Sequence, residues 1–198
     1  MTDLTNSVLS QLNQPQIEAI AQQLGVDPAQ AQGAVMQALP LLFGGLARNT
    51  ASPQGADALH AALAKDHAGV DLGGLLGSVL GGNTGAGESI LGHIFGGRRD
   101  QAARGLGQTS GLGAGGAGQL LAMLAPLVLG VLGRMNQQQG MTSTGLSGVL
   151  GQEAERNTQT GIGGLLSSVF DGDGDGDMDL GDILQAGAGL LGSLNRNA

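Results

Sequence analysis

The chain has 198 residues, 41% of them hydrophobic, a net charge of −8 and no cysteine, enough for one domain or two small ones. The missing cysteines exclude a disulfide framework, a thiol nucleophile and a thiolate metal site. Eight basic residues against sixteen acidic ones leave no basic footprint that could neutralise nucleic-acid phosphates.

With three Phe and no Trp or Tyr, the core has to come from Leu, Ala, Val, Ile and Met, which suits helix-on-helix packing. The 39 glycines show no period of three, so a collagen-like chain is excluded. The start, "MTDLTNSVLSQLNQ", lacks the basic and apolar regions of a secretory signal. A cytoplasmic protein is the default expectation, with leaderless export left open.

The first strong helix signal is "VDPAQAQGAVMQALPLLFGGLAR", where Asp27 stands as N-cap and Pro28 at the first helical position. Val35, Leu39, Leu42, Phe43 and Leu46 fall at helical spacing and predict one apolar stripe. Pro40 within that stripe should kink or divide the helix. Residues 20–35 have the spacing of a helix-turn-helix, but the second helix offers Gln30, Gln32 and Gln37 and no cation before Arg48. Nothing there anchors a phosphate backbone, so the corner is expected to serve packing alone.

His60, His67 and His93 fall in different predicted helices or turns, and His93 is expected to be a capping or partly buried polar residue. Neither these nor the Glu153 and Glu155 pair has a spacing that demands acid–base chemistry, so no enzyme is expected. Arg98, Arg99 and Arg104 form a small cluster that reads as a solvated helix start. The glycine-rich "TSGLGAGGAG" (109–118) and "NQQQGMTSTG" (136–145) are expected to be connectors. Between them "LLAMLAPLVLGVLG" (120–133) would reach about 21 Å as a helix, short of the roughly 30 Å hydrocarbon core. A buried core helix is the expected reading.

A repeat organises these elements. Pro40 and Pro126 stand 86 residues apart, and at that displacement Gly25 meets Gly111, Leu41 meets Leu127, Gly44 meets Gly130 and Arg48 meets Arg134. Downstream, "LGGLLGSVL" (72–80) recurs as "IGGLLSSVF" (162–170), 90 residues on, and the segments 72–81 and 161–170 read as short helices. "SILGHIF" (89–95) then corresponds loosely to "DILQAGA" (182–188). Two blocks in the same order at nearly the same displacement indicate tandem duplication. The expected fold class is all-α, a compact helical bundle of two duplicated halves with glycine-rich connectors. The halves are placed at 1–100 and 101–198, as two units or one intertwined domain.

The second half carries the chemistry. In residues 171–182, "DGDGDGDMDLGD", carboxylates fall at loop positions 1, 3, 5, 7, 9 and 12 with Gly176 at position 6. This is the EF-hand pattern, with Asp in place of the usual Glu at position 12. Alternate residues wrap oxygens around one side of an ion, and the glycine allows the turn that brings later ligands to the other. Expected donors are the side chains of Asp171, Asp173, Asp175 and Asp182, the backbone carbonyl of Asp177, and Asp179 directly or through water. The oxygen count favours Ca²⁺ over Mg²⁺. Leu166 and Phe170 suit an entering helix, and Leu180, Ile183 and Leu190 a leaving one. The matching stretch of the first half, "GGNTGAGES" (81–89), has Glu88 as its only carboxylate and reads as a plain glycine turn. The site is therefore unpaired, and an affinity in the micromolar range or weaker is expected.

The order of "IAQQLGVDPAQAQGAVMQALPLLFGGLAR", "ILGHIFGG" and "LLAMLAPLVLGVLG", closed by the D-x-D-x-D-G loop and a Leu/Gly tail, resembles a bacterial domain-of-unknown-function family numbered 937, related to YidB-like proteins. The likeness covers roughly residues 7–150 and the C-terminal loop. It implies a bacterial, mainly helical protein without established activity, and it supplies no catalytic residues. The expected function is a non-enzymatic calcium-binding sensor or interaction and assembly module, with calcium and either a second copy or another protein as partners. The alternative is a membrane-associated or self-assembling Leu/Gly-rich helical protein in which the calcium loop is only structural.

Overall fold

A computed structural model describes residues 4–66 and 84–157, and between them Gly74, Gly77 and Gly81. The described residues are all-helical, with no strand among them. Helix α1 spans Leu4–Leu9, α2 Gln14–Leu24, α3 Pro28–Thr50 and α4 Pro53–Asp66. There follow α5 (Gly85–Phe95), a 3₁₀ turn (Gly96–Arg98), α6 (Arg99–Ser110), α7 (Gly113–Gln139) and α8 (Ser143–Asn157).

Helix starts follow the capping chemistry of the sequence. The Asp27 side chain accepts a hydrogen bond from the Gln30 backbone N–H at 3.0 Å, ahead of Pro28. Asn13 and Gln16 form a reciprocal capping box at the start of α2. Gly25 then ends α2 in the left-handed conformation, φ 68°, open to glycine without strain. Replacing Asp27 by alanine should lower stability by about 1 kcal/mol, the usual worth of such a cap. Urea unfolding of Asp27→Ala checks this, and an unchanged midpoint would show that Pro28 alone sets the start.

The predicted stripe of α3 is wholly buried, with Val35, Leu39, Leu42 and Phe43 at 0% exposure and Leu46 at 2%. Neither proline divides its helix, since α3 runs through Pro40 and α7 through Pro126. Both predicted connectors are also largely helical. Residues 113–118 are the first turns of α7, leaving only Gly111 and Leu112 between helices. Two causes act there. Gly111 (φ 74°) and Gly113 (φ 68°) make the corner in left-handed conformations, and Gly107 lies directly on the Gly113 and Ala114 backbone. Likewise α7 continues to Gln139, and the connection to α8 is only Gly140, Met141 and Thr142. Residues 85–89, expected as a turn, form the first turn of α5. Of the predicted short helix at 72–81, Gly74 and Gly77 are described and helical and Gly81 is in a turn; 161–170 lies outside the described residues.

The two long helices α3 and α7 form the hub, and one core joins residues from α1 to α8. Some packing partners are exchanged between the halves: α1 packs on α7 and α5 on α3, α2 on α7 and α6 on α3, α4 on α7 and α8 on α3. The exchange is incomplete, because α5 packs mainly on α7 and α4 packs on α3 as well. The boundary expected at residue 100 falls within α6.

Candidate functional site

The six predicted ligands, Asp171, Asp173, Asp175, Asp177, Asp179 and Asp182, all lie outside the described residues. Among the described residues, no three His, Asp or Glu side chains come together as a metal-binding group. Glu88, the one carboxylate at the corresponding place in the first half, sits in the first turn of α5. It pairs with Arg99 at 3.7 Å, both side chains well exposed, which makes it a weak surface ion pair.

The histidines do not converge. A ring nitrogen of His60, on α4, lies 2.8 Å from the Met141 carbonyl oxygen and links α4 to the α7–α8 connection. His67 lies outside the described residues. His93, expected as a capping or partly buried polar residue, is exposed in the last turn of α5, where its backbone carbonyl accepts from Asn49 Nδ2 at 2.8 Å. Asn49 also donates to the Ile94 carbonyl at 3.1 Å, tying the end of α3 to the end of α5. That tie sets Arg48 near Arg98 of the 3₁₀ turn. Burial first, and the Arg98 charge second, hold the Arg48 guanidinium below its usual pKa. Gln30, on the helix-turn-helix corner, donates from Nε2 to the Ser110 carbonyl at 3.2 Å. It joins α3 to α6 inside the molecule.

Two polar features escaped the sequence reading. The first is Glu153 of α8, 3% exposed. Its carboxylate accepts from the backbone N–H groups of Leu4 (3.4 Å) and Thr5 (3.2 Å) and from Thr5 Oγ1 (2.6 Å). A carboxylate from a remote helix thus satisfies the first, otherwise unpaired, N–H groups of α1. A faint signal existed in the sequence, because 90 residues earlier the same place in α4 is Leu63, fully buried.

The second feature is a groove of about 240 Å³ between α1 and the end of α7, lined by Ser7, Gln11, Val131, Arg134, Met135 and the neighbouring Gln138 and Gln139. It is smaller than the roughly 300 Å³ at which small-molecule pockets begin. On the same helix, Asn136 Oδ1 is buried and meets no donor among the described residues.

The model of a family described as a bacterial protein of unknown function, DUF937, matches residues 6–135, which runs from α1 through most of α7. No curated protein and no solved structure matches the chain.

Proposed function

The chain belongs to the bacterial DUF937 family, whose function is unknown, and on that helical frame we propose a non-enzymatic calcium-binding module with one EF-hand-like loop at residues 171–182. The observation that carries this reading is the spacing of Asp171, Asp173, Asp175, Asp177, Asp179 and Asp182 around Gly176. The family match ends at residue 135, so the loop is an addition to the matched region rather than part of it. Six carboxylates in twelve residues repel one another without a cation, and calcium neutralises that repulsion while the loop orders around it.

Titration calorimetry tests the site. Calcium should bind at one site with micromolar or weaker affinity, and Asp171→Ala with Asp182→Ala should abolish the heat. Equal heats for the parent and the double variant would overturn the assignment. Magnesium should bind more weakly, because the loop offers more oxygens than an octahedral ion uses.

The frame itself reads as a tandem duplication. Displaced by 86 residues, α2 and α3 fall on α6 and α7, and Gly25 and Gly111 both end the shorter helix of each pair with positive φ. Pro53 and Ser143, 90 residues apart, begin α4 and α8. The exchanged packing pairs described above support the same reading.

The competing membrane-associated reading has one observation behind it. Helix α7 has 27 residues, nearly twice the apolar run counted in the sequence, and is long and apolar enough to cross a bilayer. Most of its apolar stretch is already buried against the other helices, as expected of a core helix. In liposome flotation the protein should therefore stay at the bottom of the gradient, and flotation with the vesicles would favour the membrane reading.

A further inference from the structure

The displacement of 86 residues that carries α3 onto α7 also carries α1 onto the end of α5, so that Val8 and Leu9 take the place of Ile94 and Phe95. The two short helices meet the long ones differently. Against α3 the contact is closed. A side chain added at Gly45 would meet Ile94 Cγ2 at 2.5 Å and Phe95 Cε1 at 3.0 Å, so glycine there lets α5 lie close. Asn49 then seals the edge by donating to the His93 and Ile94 carbonyls.

In α7 both of those positions change. Val131 stands where α3 has Gly45, and Met135 where it has Asn49. Valine supplies the side chain that the close approach excludes, and methionine has no N–H to donate. The matching carbonyls of α1 bond locally instead: Ser7 accepts from Ser10 Oγ at 2.9 Å and Val8 from the Gln11 backbone N–H at 3.0 Å. Glu153 holds the start of α1, and between its other end and α7 lies the groove of about 240 Å³.

The polar groups of that groove are uncommitted. Arg134 is the one charged residue of the lining; it is exposed and meets no carboxylate or other partner among the described residues. The amides of Gln11 and Gln138 line the groove with it, and Val131 and Met135 supply an apolar wall. A guanidinium presents a planar fork that matches a carboxylate, and neutral amides donate further N–H groups without adding charge. The last turn of α7 borders the groove at Gln138 and Gln139 and brings the negative end of the helix dipole. One negative charge on Arg134 is therefore matched, and a second is opposed.

We propose that the groove between α1 and α7 binds a monocarboxylate of amino-acid size, its carboxylate on Arg134 and the amides, its short apolar part against Val131 and Met135. The volume excludes drug-sized ligands, and the single cation selects against doubly charged phosphate. A free small acid and the C-terminal carboxylate of a peptide share this chemistry. The site stands on the groove and its cation and is independent of the calcium loop; the duplicated reading of the frame accounts only for why the groove is open.

Nuclear magnetic resonance titration of the isotope-labelled full chain with hexanoate tests it, read at the side-chain amides of Gln138 and Gln139. Calcium-free buffer keeps the outcome apart from that of the aspartate loop. Hexanoate should bind saturably with a Kd on the order of millimolar, in keeping with so few contacts. Hexanamide and inorganic phosphate should bind roughly tenfold more weakly or not at all. Arg134→Gln should weaken hexanoate binding roughly tenfold or more. Gln11→Trp, at another exposed position, should do the same by filling the groove while leaving the charge. Arg48→Gln, at the matching place of the closed half, should change nothing. Equal binding of hexanoate and hexanamide overturns the proposal. So does an Arg134→Gln or Gln11→Trp variant that binds like the parent, or an Arg48→Gln variant that loses as much. An acetylated dipeptide ending in leucine decides the source: affinity about tenfold or more above that of hexanoate assigns a peptide end, and equal or weaker affinity a free acid.

Discussion

Gly87→Ala is expected to lower stability by about 2–4 kcal/mol, although alanine is the better helix former by about 1 kcal/mol. Gly87 is buried in α5, and a Cβ there would run into the backbone carbonyl of Ala122 in α7. That obstacle is main chain, so no side-chain rotation relieves it. Ala122 is four residues before Pro126, and proline has no N–H to offer its carbonyl. Freed from its helical partner, the carbonyl lies where α5 comes closest, and the missing side chain at Gly87 leaves room for weak Cα–H···O contact. The proline that should break α7 thus coincides with a close helix–helix approach. Gly92 supplies the control within the same helix. It has open space around its Cβ position, so Gly92→Ala should gain up to about 1 kcal/mol. Urea unfolding separates the two, and equal stability of Gly87→Ala and the parent would mean that α5 and α7 do not approach this closely.

The same contact shows why part of the fold was legible in the sequence and part was not. The Asp27–Pro28 start, the α2–α3 corner and the buried stripe from Val35 to Leu46 depend on residues within a few positions of each other, and local patterns report them. The glycine-rich run at 113–118 defeats that reading, because glycine spacing alone does not distinguish a loose connector from a helix pressed against a neighbour. Its helical state follows from Gly107 lying on Gly113 and Ala114, a contact between helices. Pro126 is similar: its cost is local, but the packing that tolerates it comes from α5, far back in the chain. For the candidate site the situation reverses. The aspartate loop is legible in spacing alone, whereas the groove needs two helices, α1 and α7, brought together from opposite ends of the described chain. Only the repeat makes it legible, by pairing Arg48 with Arg134 and Ile94 and Phe95 with Val8 and Leu9.

Glu153→Ala should weaken the hold on α1 by about 3 kcal/mol, and the loss should be local rather than global. Hydrogen bonds to a charged acceptor are worth about 1.5–3 kcal/mol each but are not additive, and three donors share this one carboxylate. Removing it also leaves the Leu4 and Thr5 N–H groups with no acceptor in a buried corner. Opposing the loss, α1 buries Leu4 and Val8 almost completely, and each contributes about 1.5–3 kcal/mol of apolar burial. A six-residue helix has little stability of its own, so α1 stays docked through those two side chains but opens far more often. Hydrogen exchange at Val8 and Leu9 should accelerate roughly a hundredfold, the factor that 3 kcal/mol corresponds to, while the core amides of α3 and α7 keep their protection. Glu153→Gln should fall between, because its amide NH₂ faces an N–H donor where the carboxylate offered a second oxygen. Glu153→Leu puts at this position the residue that α4 carries at 63, filling the volume but not the hydrogen bonds. If it restores α1 as fully as the parent, the carboxylate contributes only its bulk, and the hydrogen-bonded account of α1 fails. If exchange at Val8 stays fast in the leucine variant, the latch is the charge itself, and the leucine-to-glutamate difference between the two halves is what holds α1 against α7 beside the groove.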